Sequence, residues 1–238
     1  MEKIKLGSIY SAGTLMGSGF IWQDDTPFEI GDTMQGVELQ WVPFRNLLIA
    51  DRVVCNNISW KQLNKLGYIF GVPTKIDSRF YLCRSLKVGI GPENPGEWDD
   101  ALTAVGDDDE IWNWAYSFFW GQETPPTHKT CRMERGYSDA YNFGFGEATG
   151  RSEEGGFRPV LELLPPMPSL TDALIGQQVE IYGQGKEFIF GRVAGFDDYD
   201  LVLENPTKIP LRCSWAVRRG KTAVIKRNSI TWIGNIEP

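Results

Sequence analysis

Two stretches of this chain space their apolar residues three and four apart. Ser59-Trp60-Lys61-Gln62 is a capping-box pattern, in which the serine hydroxyl and the glutamine side chain satisfy each other's backbone amides. Leu63, Leu66 and the stop signal Gly67 complete a helix there. Trp98, Ala101, Leu102 and Val105, ended by Gly106, mark a second amphipathic helix. Elsewhere the period drops to two. Ser78–Leu86 reads as a strand with Phe80, Leu82 and Leu86 on one face, and Phe157–Leu163 as another. The remainder of residues 1–164 is aromatic, glycine-rich and irregular. Its first 40 residues, with glycine and serine turns around 12–19, suggest a hairpin or an arm. The pattern predicts an α+β domain with long structured loops.

A boundary follows. Leu163-Leu164-Pro165-Pro166-Met167-Pro168 places three prolines in four positions, which removes backbone donors and favours an extended linker over 165–168. Beyond it, Ser169–Gly176 reads as a short helix, with Ser169 as N-cap and Gly176 as stop. Strands are expected at 178–182, 187–196, 200–204 and 222–233, the last broken around Arg227-Asn228. Gly191 and Gly195 suit a long strand that must bend. A short helix and about five sharply turned strands in residues 169–238 predict a small closed β-barrel. Residues 206–220 are left as a long loop.

Composition narrows the classes. Hydrophobic residues make up 42% of the 238, with nine Trp and thirteen Phe, enough for well-packed cores. No apolar run reaches the roughly 20 residues that span a bilayer, and Met1-Glu2-Lys3-Ile4-Lys5 is not followed by a secretory apolar core. A cytoplasmic location and no membrane partner are expected. Cys55, Cys83, Cys131 and Cys213 are scattered and His128 is the only histidine. They offer no zinc spacing and no convincing catalytic pair, so no metal, no cofactor and no enzymatic activity are expected.

Charge is unevenly placed. Residues 169–238 carry nine Lys/Arg against eight Asp/Glu, so the net −7 is borne by the first 168 residues, at −8. Between Asn205 and Ile236 lie seven basic residues and no acidic one, including Arg212, Arg218, Arg219 and Lys221. A local basic edge can bind nucleic acid even on an acidic protein. Asp107-Asp108-Asp109-Glu110 reads as a solvated acidic loop. Phe157-Arg158 reads as core packing with a buried ion pair. Trp112, Trp114, Tyr116 and Phe118 would share one face if extended, and Trp112, Trp114 and Trp120 are weak candidates for a ligand-stacking surface.

Two resemblances sharpen these readings. Gly191-Arg192-Val193-Ala194-Gly195-Phe196-Asp197-Asp198-Tyr199-Asp200-Leu201-Val202-Leu203-Glu204-Asn205, followed by Ala223-Val224-Ile225-Lys226-Arg227-Asn228-Ser229-Ile230-Thr231-Trp232-Ile233, resembles the two signature motifs of Sm-like proteins, most closely the Hfq branch. That resemblance implies a ring of six or seven copies. It also implies a pore for single-stranded, uridine-rich RNA lined by Asp198, Tyr199, Lys226, Arg227 and Asn228, with Asp197 holding the turn. Trp60–Gly67, Trp112-Asn113-Trp114, Ser117–Glu123, Arg135–Ala140 and Gly156–Glu162 look like bacterial C-type-lectin-like domains, the group that includes the formylglycine-generating enzyme and retroelement variable proteins. The implied architecture is an α+β C-type-lectin-like domain over 1–164 followed by an Sm-like (SH3-like) barrel over 169–238. The implied task is non-enzymatic: assembly and RNA binding by the barrel, protein or glycan recognition by the first domain. A display scaffold with no RNA role, or an enzyme on the lectin-like fold, are the alternatives.

Overall fold

Ser59 Oγ accepts from the Gln62 amide at 3.3 Å and Gln62 Oε1 accepts from the Ser59 amide at 2.9 Å. This reciprocal cap starts the helix Trp60–Lys65, which buries Trp60 and Leu63. The second helix, Glu97–Val105, begins where the Asp99 carboxylate accepts from the Gly96 amide at 2.9 Å, and it buries Trp98, Ala101 and Leu102. Both are features of a computed structural model that describes residues 2–23, 26–183, 187–207, 209 and 213–236.

The chain separates into two compact units, 1–164 and 165–238. The first is built on two six-stranded sheets. One runs Ile4–Lys5, Gln40–Phe44, Leu47–Ala50, Pro159–Leu163, Arg79–Ser85, Val72–Ile76, and every pair in it is antiparallel. The other runs Phe143–Glu147, Cys131–Gly136, Phe118–Trp120, Gly155–Phe157, Cys55–Asn56, Phe20–Ile21, with two parallel pairs. The neighbouring strands Gly155–Phe157 and Pro159–Leu163 therefore lie inside one sheet each. The first 40 residues are woven in, adding Ile4–Lys5 and Phe20–Ile21 to the two large sheets and forming a three-stranded sheet from Ser8–Ser11, Thr14–Met16 and Phe28–Gly31.

Trp98 packs edge-on against Trp112 and Phe119, with ring centroids 4.9 and 5.0 Å away. The helix is thereby seated on the sheet through aromatic edges, a geometry that adds to plain area burial.

The second unit is one antiparallel sheet in the order Ala216–Arg219, Thr222–Lys226, Asp200–Thr207, Phe188–Phe196, Gln178–Gly183, Ile230–Asn235. Val179, Ile181, Ile189, Leu201, Leu203, Trp215 and Ile225 fill its core. The pairing of Phe188–Phe196 with Asp200–Thr207 shifts register between Phe190 and Arg192 and again between Val193 and Gly195. Gly191 and Gly195 thus sit at the two places where the long strand bends.

These sheets correct the expected fold. Strands account for 47% of the structure and helix for 11%, and the second unit is a single six-stranded antiparallel sheet. The first unit is therefore predominantly β, not an α+β lectin-like domain, and the second is not a plain small Sm-like barrel. In the first unit, stretches that looked irregular are short strands, such as Phe143-Gly144-Phe145-Gly146-Glu147. Glycine in place of polar residues hid their alternation. In the second, Ala216–Arg219 and Ile230–Asn235 do not pair with each other among the described residues, so the sheet stays open. The expected helix at 169–176 shrinks to one 3-10 turn, Asp172–Leu174, and Thr171, not Ser169, precedes it. Such a short segment cannot meet the cost of helix nucleation. The strand expected at 78–86 forms as Arg79–Ser85, yet Tyr81 and Cys83 are buried while Phe80 and Leu82 are half-buried. Tyr81 and Cys83 make the other face the more deeply buried one in mid-strand, while Leu86, on the expected face, is fully buried as well.

Candidate functional site

In the second unit the two motif segments meet. The Asp197 carboxylate accepts from the amides of Tyr199 and Asp200, both at 2.8 Å, and the Asp197 amide donates to the Asp200 carbonyl at 2.9 Å. Those two amide bonds, with the one from Asp200 the stronger, hold the Asp197 carboxyl below its ordinary range. This is the turn-holding role expected of Asp197. On this turn docks the 3-10 turn Arg227–Ser229: the Arg227 amide donates to the Tyr199 carbonyl at 2.8 Å, and its guanidinium donates to the Asp197 carbonyl.

Tyr199 is 80% exposed at the tip of this braced pair of turns. Lys226 is exposed and lies in register opposite Asp200. Asp198, Arg227 and Asn228 line a cleft of about 350 Å³ together with Met167, Pro168, Leu170, Ile230 and Ile233. The structure therefore gathers Asp198, Tyr199, Lys226, Arg227 and Asn228 at one end of the sheet. Met167, Pro168 and Leu170 belong to the cleft as well, although the proline spacing pointed to a linker. The Trp232 indole donates to the Pro165 carbonyl at 3.2 Å. The signal for this docking was the pair of apolar residues, Met167 and Leu170, set among the prolines.

The other basic residues lie elsewhere. Arg218, Arg219 and Lys221 are exposed around the tight turn that joins Ala216–Arg219 to Thr222–Lys226. Lys226 is at the far end of the second of those strands, four residue steps or roughly 13 Å away. Arg212 lies outside the described residues.

The aromatic candidates of the first unit resolve differently. Trp112 and Trp120 are core residues whose indole N–H groups donate to the Gly106 and Ile58 carbonyls at 2.7 and 2.9 Å. They have no free face on which to stack a ligand. Trp114 is half-buried, with its indole donating to the Asp107 carbonyl at 2.8 Å. Trp112 ends the one-turn helix Asp109–Trp112 and Asn113 turns left-handed, so the expected extended face never forms. The acidic loop caps this turn: Asp108 accepts from the Glu110 amide and Asp109 from the Ala115 amide.

Arg158 is also corrected. It is fully buried, yet its guanidinium lies over the rings of Trp98 and Phe119 at 5.0 and 4.7 Å and makes no ion pair among the described residues. Its one hydrogen bond goes to the Asn113 carbonyl at 3.2 Å, and Nε and Nη1 have no partner among the described residues. Burial pulls its pKa down to about 9.

No protein-family model matches this chain, and no curated protein or solved structure matches it. Among the described residues no helix is long and apolar enough to cross a membrane.

Proposed function

We propose that the chain is a non-catalytic binding protein whose residues 165–238 hold single-stranded RNA. The observation that carries this reading is Tyr199, 80% exposed on a turn pinned by Asp197 and Arg227, with Lys226 beside it. A solvent-facing ring costs apolar hydration, and a stacking base repays it. Lys226 supplies charge for phosphate, and Asn228 supplies amide donors and an acceptor for a base edge. The Arg218–Lys221 turn extends the backbone track. Asp198 disfavours phosphate in the cleft itself and directs the strand along the rim.

The open edges favour assembly. Ala216–Arg219 presents exposed Val217, Arg218 and Arg219, whereas Ile230–Asn235 carries no charge. Two copies of the basic edge repel, which favours its pairing head to tail with the uncharged edge, and this closes into a homo-oligomeric ring when the rotation per copy permits.

Fluorescence anisotropy of the intact protein with uridine-rich and adenine-rich oligoribonucleotides tests the reading. Binding is expected to weaken steeply with salt. Tyr199→Ala should remove about 1–3 kcal/mol, and Lys226→Ala should weaken binding to all sequences and lower the salt slope by about one phosphate. Light scattering on the same samples should show the mass of several chains. Absence of binding at low salt overturns the RNA role, and a monomer at binding concentrations overturns the ring.

A further inference from the structure

The sheet face around Glu134 has been cleared of side chains. Glu134 lies in register with Trp120 on one side and Gly144 on the other, and Arg132 with Gly146. Phe118 lies in register with Gly136 and with Gly155. A methyl group at position 146 would stand 2.4 Å from Glu134 Oε1, and one at 155 would stand 2.5 Å from the Phe118 ring. Only glycine lets these two side chains lie down on the sheet. The result is an open cleft of about 290 Å³ lined by Phe118, Glu134, Tyr137, Asn142 and Glu154, with Arg135 at its base.

Tyr137 lines this cleft, and both it and its neighbour Tyr116 hold backbone conformations that tyrosine rarely adopts. Tyr116 has φ 57° and Tyr137 has φ 80°, and both rings are exposed, in edge contact at 6.4 Å. Their main chains are locked together: the Tyr116 amide donates to the Tyr137 carbonyl at 2.9 Å, and the Tyr137 amide donates to the Ser117 carbonyl at 3.0 Å. Strain of this kind clusters at ligand-binding positions.

We infer that this cleft binds an alkylammonium group, with Glu134 as its counter-ion and the rings of Phe118 and Tyr137 as its walls. The charges around Glu134 support a cation. Its own carboxyl has no hydrogen-bond or ion-pair partner among the described residues. Arg135 is no competitor, since its guanidinium is spent on both oxygens of Asp99 at 2.6 and 3.0 Å and on the Val88 carbonyl. Arg132, on the same face of the strand, donates to the Lys129 and Cys131 carbonyls and lies 4.2 Å over the Trp60 ring. Glu154 adds a second carboxylate to the lining. The net −8 of residues 1–168 draws cations toward it. An ammonium gains both a charge partner and aromatic faces here.

Burial of Glu134 pushes its pKa up to about 7. Below that pH the acid is neutral and above it ionised, so a cation binds more tightly as pH rises through 7 and then levels off. Between pH 6 and pH 8 the ionised fraction rises from about one tenth to about nine tenths, and the apparent affinity should rise about tenfold with it.

Calorimetric titration of the intact protein with choline chloride, n-butylammonium chloride and 3,3-dimethylbutan-1-ol, the uncharged isostere of choline, decides the matter. Saturable binding of either cation, about tenfold tighter at pH 8 than at pH 6, absent for the alcohol and lost in Glu134→Gln, is expected. Tyr137→Gly removes an aromatic wall while relieving the backbone, so weakened binding in a protein of undiminished thermal midpoint is not a folding defect. Equal binding of the alcohol, binding indifferent to pH or to Glu134→Gln, or no saturation by either cation at millimolar concentration and pH 8 overturns the inference.

Discussion

Arg158 is a cation held out of water between two aromatic rings, with two of its three nitrogens unpartnered among the described residues. Such a charge opposes folding. Its pKa falls from the ordinary arginine range to about 9 in the folded chain, so between those two values the unfolded chain binds the extra proton. Stability from this group therefore rises as pH climbs above 9, and at pH 7 the full penalty is present. Arg158→Met removes the charge and keeps an unbranched stem, two atoms shorter than the arginine, so unfilled space offsets part of the gain. It should raise stability at pH 7 by an amount near the lower end of about 1–4 kcal/mol, the rings' attraction for the cation offsetting part of the gain. Urea titration of both proteins at pH 7 and pH 10 checks this, and the gap should narrow at the higher pH. A midpoint lowered at pH 7 would mean that the stacked cation stabilises the core. The sequence showed an arginine beside a buried Phe157 and hence its burial. It did not show what the guanidinium meets, since Trp98, Asn113 and Phe119 come to it from three distant segments.

At the level of elements, legibility followed local chemistry. The Ser59–Gln62 cap lies within four residues of chain, and the helix starts where the pattern put it. The Asp197 turn is equally local, and its two amide bonds form within three residues. Strands defined by partners were harder to read. Phe143–Glu147 alternates aromatic residues with glycine, a pattern that becomes strand only when Cys131–Gly136 lies beside it. In Arg79–Ser85 both faces hold large residues, and the register with Pro159–Leu163 decides which face is inside. The helix Glu97–Val105 is held by tertiary contact more than by its own nine residues. Trp98 is its anchor, with the indole donating to the Ala140 carbonyl at 2.7 Å and its ring in edge contact with Trp112 and Phe119. Trp98→Ala should cost about 3–5 kcal/mol by denaturant melt. A loss below 1 kcal/mol would mean that the helix is not seated by this ring.

The whole chain has separate cores: the cluster around Val179, Ile181 and Leu203 draws its buried members from the second unit alone. Residues 165–238 expressed by themselves should therefore fold cooperatively. A fragment starting at Thr171 should be less stable, for it lacks Met167, Pro168 and Leu170 from the cleft and the Pro165 carbonyl that Trp232 bonds. Thermal unfolding of the two fragments makes the comparison; equal midpoints would show that 165–170 is a tether only. The long 238-residue view also explains why the candidate RNA site was partly readable. Its residues fall in two short motifs, whereas the Glu134 cleft is assembled from four strands and a set of glycines whose shared face no linear pattern displays.

The central position of Gly155–Phe157 and Pro159–Leu163 bears on how the chain is made. Synthesis proceeds from the N-terminus, and these strands leave the ribosome after every other strand of the first unit. Until they do, Leu47–Ala50 and Arg79–Ser85 have no strand to join them, nor have Cys55–Asn56 and Phe118–Trp120. The nascent chain thus carries apolar half-sheets with bare edges from Ser85 until Leu163 is made, and such edges invite pairing between neighbouring polysomal chains. Closure of the first unit waits for residues 155–163, so a chain stalled before them should aggregate more readily than the finished unit.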